Sequence, residues 1–153
     1  MTENKLEKIK ALIKILRPEV TILAIFTVYI GAIAADSTYF SIKIRLAMIA
    51  VFFIAAASQP FNDYFDYEID KIIHPNRPLQ SGLIKPKTAL YMGVILFIAG
   101  IIISFFINIQ VIFFSIFGVA LIVFYELFSK KMGFLGNFVV AFTISIAFLY
   151  GGA

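Results

Sequence analysis

Between Lys87 and Glu126 the chain runs for 38 residues without one formal charge. A soluble domain leaves polar side chains to cover its surface, whereas one crossing of a hydrocarbon core takes about 20 apolar residues. The run is therefore long enough for two membrane crossings. Asn108 and Gln110 supply its strong polar break, which predicts a tight helical hairpin there. Composition agrees: 61% hydrophobic and 14% charged residues exclude a disordered chain, and the absence of cysteine excludes a disulfide scaffold and a thiolate metal site. The net charge of +4 does not point to nucleic acid as a partner, because most Lys and Arg residues flank apolar spans, where they orient a chain in a bilayer.

Charge-free runs at 20–35, 46–62, 88–107, 109–125 and 134–153 predict five transmembrane helices and an all-α, multi-pass bundle surrounded by membrane lipids. Ahead of them, residues 1–16 set Lys5, Lys8, Lys10 and Lys14 around Leu6, Ile9, Ile13 and Leu16 at helical spacing, the pattern of a basic interfacial helix. Residues 17–153 then read as one membrane domain. Counting Lys and Arg by loop puts the N-terminus, the segment 71–87 and Lys130-Lys131 on one side, with Lys43 and Arg45 on the other. The richer side is expected to be cytoplasmic.

Four of the nine acidic residues, Asp63, Asp66, Glu68 and Asp70, fall within eight positions directly after an apolar span. On a helix turning about 100° per residue, with Asn62 at 0°, Asp66 lies near 40°, Asp70 near 80° and Asp63 near 100°, with Glu68 away near 240°. Asn62 and three carboxylates thus share an arc. Carboxylates crowded at a membrane surface repel one another and resist desolvation, so they call for a cation. Oxygen ligands without His or Cys suit a hard divalent ion, and Mg²⁺ is usually held by one or two carboxylates with substrate phosphates. Downstream, Lys71 and Arg77 lie beside the acids, and Arg77 offers a planar fork suited to diphosphate oxygens. Pro75, Pro78 and Gly82 predict a fixed turn that folds the loop over the carboxylate arc as a lid. His74 has no second imidazole or thiolate beside it and is given no ligand role.

The stretch Asn62-Asp63-Tyr64-Phe65-Asp66-Tyr67-Glu68-Ile69-Asp70 resembles the first aspartate-rich motif, NDxxDxxxD, of the UbiA superfamily of intramembrane prenyltransferases. Asn76-Arg77-Pro78-Leu79 with Ser81-Gly82 is similar to that family's downstream loop. Tyr125 followed by Lys130, Lys131, Gly136 and Asn137 is similar to its Tyr/Lys loop, and Arg17-Pro18 to the pair before its first helix. The wording of the acidic and proline segments most resembles the archaeal geranylgeranylglycerol-phosphate geranylgeranyltransferases. The resemblance implies a nine-helix membrane fold, of which five helices are visible here, with a central cavity for a prenyl diphosphate donor held through Mg²⁺. It implies Asn62, Asp66, Asp63 and Asp70 as catalytic and metal-binding residues. Arg77, Lys130, Lys131 and Tyr125 then fall on the diphosphate, and Arg17 on a lipid-phosphate acceptor or a structural contact. The family's second aspartate-rich motif has no match, since no aspartate follows Asp70, so a C-terminal half is expected to supply it. Three other readings remain open at this level: an aromatic or quinone-ring prenyltransferase of the same superfamily, a divalent-cation transporter whose pathway the acids would line, and a noncatalytic membrane partner.

Overall fold

The structure, a computed structural model, describes residues 2–35 and 41–153. Met1 and the side chains of residues 2–5, Lys5 among them, lie outside the described set. The described elements are helices throughout: α1 (Thr2–Ile15), α2 (Pro18–Ala34), α3 (Ile42–Phe65), α4 (Tyr67–Ile73), α5 (Pro86–Ser104), α6 (Ile109–Leu127), a 3₁₀ turn (Ser129–Lys131) and α7 (Phe134–Gly152). Local chemistry sets their ends. Proline stands at the first position of α2 and α5, where a missing N–H costs nothing. Ser41 and Asn108 cap α3 and α6 by accepting hydrogen bonds from Ile44 N at 3.2 Å and Val111 N at 2.8 Å. After α5 the chain tightens through hydrogen bonds three residues apart and turns into α6 at Asn108, which is the hairpin that the polar break predicts.

Helices α3, α5, α6 and α7 are long and apolar enough to cross a membrane. The first predicted span is shorter, because α2 has 17 residues, about 26 Å of helix against a hydrocarbon core of about 30 Å. Apolar surface between helices gains little in lipid, so close backbone approach has to hold the bundle together. Gly93 and Gly100, seven residues apart on α5, face the α3 backbone near Ala57 and Ala50, which are also seven apart and fully buried. Gly31 and Gly151 do the same for α2 and α7: a Cβ on either would run into the other helix's backbone carbonyl, at Phe148 and Val28 respectively. A core of Val28, Ala47, Ala50, Val51, Val111 and Tyr150 joins α2, α3, α6 and α7.

The basic N-terminal helix differs in detail from its predicted stripe. Leu6, Ile9 and Ile13 are exposed, while the protein contact is made by Ala11 and Ile15. These two pack with Leu79, Ile84 and Ala89, so α1 braces the 74–85 loop against the start of α5. Because the clash at Gly31 is with backbone, Gly31→Ala is expected to destabilise the bundle by at least about 2 kcal/mol. Denaturation in detergent micelles measures this, and a loss below about 0.5 kcal/mol would contradict the α2–α7 packing.

Candidate active site

The last turn of α3 and the start of α4 carry the acidic residues. Asp66 sits at a one-residue break between the two helices, yet the hydrogen-bond spiral continues through it, from Asp66 N to Asn62 O at 3.0 Å and from Asp70 N to Asp66 O at 2.8 Å. The arc expected of a continuous helix therefore survives the break. Glu68 points away, with its side chain 80% exposed, and pairs at the surface with Lys71.

Two ion-pair chains organise the remaining groups. In the first, Asp63 is only 1% exposed and accepts a hydrogen bond from Arg17 Nη2 at 2.5 Å. Arg77 Nη1 lies 3.5 Å from the same Asp63 oxygen and also donates to Asp70 Oδ2. A buried carboxylate is thus held between two guanidinium groups. Arg17 has φ 44°, in the left-handed region that a side chain other than glycine adopts at a cost of about 1–3 kcal/mol. Its contact with Asp63 is the interaction that offsets this cost.

In the second chain, Lys130 Nζ donates to Asp66 Oδ2 at 2.5 Å and to Glu126 Oε2 at 2.9 Å, and Asn62 Nδ2 donates to Glu126 Oε1 at 2.7 Å. Burial works against the Lys130 ammonium, but its bonds to Asp66 and Glu126 outweigh that effect and hold its pKa above the ordinary lysine value. A raised lysine pKa stabilises the fold fully at neutral pH, and that contribution is lost as the pH climbs through the folded value. Lys130 Nζ also lies 5.7 Å from the centre of the Tyr125 ring.

The second chain meets one end of a cavity of about 360 Å³, within the usual range for ligand sites. Asn62, Tyr125 and Glu126 line that end, and Val51, Phe114, Ser115 and Tyr150 line the opposite one. Its walls are almost wholly apolar, so a molecule with a charged head and a long hydrocarbon tail is complementary to it. Among the described residues no three carboxylate or imidazole groups gather around one point. A divalent ion still fits the donor set, because Asp66 and Glu126 already direct oxygens at a single positive centre, the Lys130 ammonium, and Mg²⁺ needs only one or two carboxylates when phosphates complete its shell.

Of the residues expected from the sequence, Asn62, Asp63, Asp66, Asp70, Arg17, Arg77 and Lys130 are brought together, and Tyr125 joins them at the cavity mouth. Lys131 is exposed on the 3₁₀ turn and stands outside both chains. The loop does fold back so that Arg77 reaches the acids, and fully buried Leu79 anchors it against α1 and α5. Gly82, with φ 80°, supplies the turn.

Glu126 is the group that sequence reasoning missed. Its side chain is 3% exposed and touches both Asn62 and Lys130. The signal was present, since it is the single charge that ends the longest charge-free run, and an ionisable residue at such a boundary is a functional candidate by default. Removing the cation between two carboxylates is costly when they are mostly desolvated. With about a quarter of the Lys130 side chain exposed, Lys130→Met is expected to cost about 2 kcal/mol, between the surface and the fully buried case. Adding Glu126→Gln to it should recover part of the loss in the same denaturation measurement, and a strictly additive second loss would contradict the pairing.

Comparison with known proteins places this geometry. Digeranylgeranylglyceryl phosphate synthase of Sulfurisphaera tokodaii is 39% identical over 145 residues, covering 94% of this chain and 52% of the relative. The enzyme of the same name from Methanosphaera stadtmanae is 37% identical over 140 residues, covering 92% and 51%. A solved structure, described as that of digeranylgeranylglyceryl phosphate synthase in membranes, superposes with a TM-score of 0.89 at 34% identity, over 95% of this chain and 52% of the other. The chain thus spans about half the length of the relatives it matches. Residues 24–153 match the UbiA prenyltransferase family, and with its apolar helices and acidic mouth this multi-pass membrane chain belongs to that family.

Proposed function

We propose that this chain carries the donor-binding half of a prenyltransferase that moves a geranylgeranyl group from its diphosphate to geranylgeranylglycerol phosphate, forming an ether-lipid precursor. The observation that carries this reading is the meeting of the chain of Asn62, Glu126, Lys130 and Asp66 with one end of an apolar cavity, with the chain around Asp63 held beside it at the end of α3. The relatives' shared name favours a lipid-phosphate acceptor over an aromatic or quinone ring. A cation pathway would need acids deep within several spans, whereas those of α3 and α6 stand in the last turns and α5 and α7 carry none.

In this reading Asn62 and Asp66 hold Mg²⁺, with Asp63 and Asp70 in support and Glu126 fixing the Asn62 amide. When bound, the ion supplies charge neutralisation to a leaving diphosphate. Arg77 and Lys130 turn part of their hydrogen bonding toward phosphate oxygens and stabilise the negative charge that builds as the allylic C–O bond breaks. Tyr125 donates to a phosphate oxygen from the mouth. Arg17 holds Asp63 in place, or meets the acceptor phosphate. Lys131, exposed beside Lys130, adds positive potential for the incoming anion. The cavity walls keep water from the allylic carbocation. The basic flanks set the N-terminus and the acidic segment on the cytoplasmic side, where soluble diphosphates reach the mouth.

Tests follow with the complete gene product in membranes, using labelled geranylgeranyl diphosphate. Asp66→Ala should lower Mg²⁺-dependent diphosphate release by about 100-fold or more with the fold retained, and undiminished turnover would remove Asp66 from the metal site. Arg77→Ala should raise the donor KM by about tenfold with a smaller effect on kcat. An unchanged donor KM would confine Arg77 to holding the loop.

A further inference from the structure

The end of the cavity far from the charged groups is built differently from its walls. Tyr150 of α7 is 3% exposed and its hydroxyl lies 3.1 Å from Ser104 Oγ of α5 and 3.4 Å from Ser115 Oγ of α6. The two serine oxygens are 2.6 Å apart, and Ser104 donates to Gly100 O at 2.9 Å. A hydroxyl in hydrocarbon is costly without a partner, so the Tyr150 ring cannot swing aside without leaving this three-helix cluster short of bonds. The end wall is therefore rigid, which a length-limiting stop requires and a lining of flexible aliphatic side chains would not provide.

Its distance from the mouth is set by helix geometry. Eleven residues separate Glu126 from Ser115 on α6 and Asn62 from Val51 on α3, about 16 Å at 1.5 Å per residue. Three bonds of an extended peptide span about 3.6 Å, so the four-bond repeat of an isoprenoid spans about 5 Å. Three units fill the depth when straight and a fourth requires the chain to bend, whereas a fifth brings the extended length to about 25 Å.

We propose that Tyr150, locked by Ser104 and Ser115, is the floor that limits the donor to four isoprene units. This specificity role rests on the reading of the mouth as a prenyl diphosphate site. Gly118 offers an independent handle. It lines the cavity, a Cβ built on it meets nothing within 4 Å, and it stands three residues nearer the mouth than Ser115. That offset is about 4.5 Å along the helix, close to one isoprene unit.

The test uses the complete gene product in lipid nanodiscs and non-hydrolysable thiolodiphosphates of two to five isoprene units, competed against labelled geranylgeranyl diphosphate, with kcat/KM for the matching donors in parallel. Gly118→Leu should shift the preference from four units to three by at least about tenfold. Tyr150→Ala should admit the five-unit chain with a similar gain relative to four units, and Tyr150→Phe, which keeps the ring but frees it from Ser104 and Ser115, should admit it with a smaller gain. If Tyr150→Ala fails to fold, the Gly118→Leu profile decides alone. A wild-type length profile that persists in Gly118→Leu overturns the ruler while leaving the donor site standing. Wild-type protein that binds none of the analogues overturns the diphosphate reading and the ruler with it.

Discussion

A carboxylate at the end of a membrane helix is tolerable only beside a cation, and the structure depends on meeting that demand several times within a few ångströms. Asp63, almost fully buried, lies between Arg17 and Arg77, and Asp66 and Glu126 share Lys130. These pairs reach across the chain. Arg17 comes from the start of α2, Arg77 from the loop after α4, and Lys130 from the 3₁₀ turn after α6. Segments far apart in sequence are thereby tied to the end of α3. The same alternation of charges suits a site that takes up a polyanion together with a divalent ion, since each protein cation already stands at bonding distance from an oxygen ligand.

The apolar part of the molecule places this polar mouth. Small residues let α3 and α5, and α2 and α7, approach backbone to backbone, and α6 completes the wall with Phe114, Gly118 and Ile122. The resulting cavity begins at the charged groups and ends at a hydroxyl cluster. Such a cavity offers an amphiphile different physics at its two ends: charge at the mouth, and shape and dryness in the interior.

Much of this was legible in the sequence because helical membrane segments announce themselves by the absence of charge, and because a period of 3.6 residues assigns side chains to faces. The hairpin at Asn108, the arc from Asn62 to Asp70, the outward Glu68 and the return of Arg77 all followed from such local rules. What local rules cannot supply is the partner across the bundle. Glu126 gains meaning only from Asn62, 64 residues away. Ser104, Ser115 and Tyr150 each read as an ordinary polar residue in an apolar span until three helices bring them together. The N-terminal helix shows the same limit: periodicity found its apolar stripe, while the side that packs on the protein was set by Leu79 and Ile84 from a distant loop.

At the cavity mouth, Asn62 and Asp66 are proposed to hold a divalent ion against a prenyl diphosphate, beside Lys130. Crystals of the complete gene product grown with geranylgeranyl thiolodiphosphate and Mn²⁺ in place of Mg²⁺ test it directly through anomalous scattering. The account requires a manganese peak within coordination distance of an Asp66 oxygen and of a phosphate oxygen. Well-ordered diphosphate at the mouth with no manganese beside Asp66, or a prenyl tail lying outside the cavity, would contradict it.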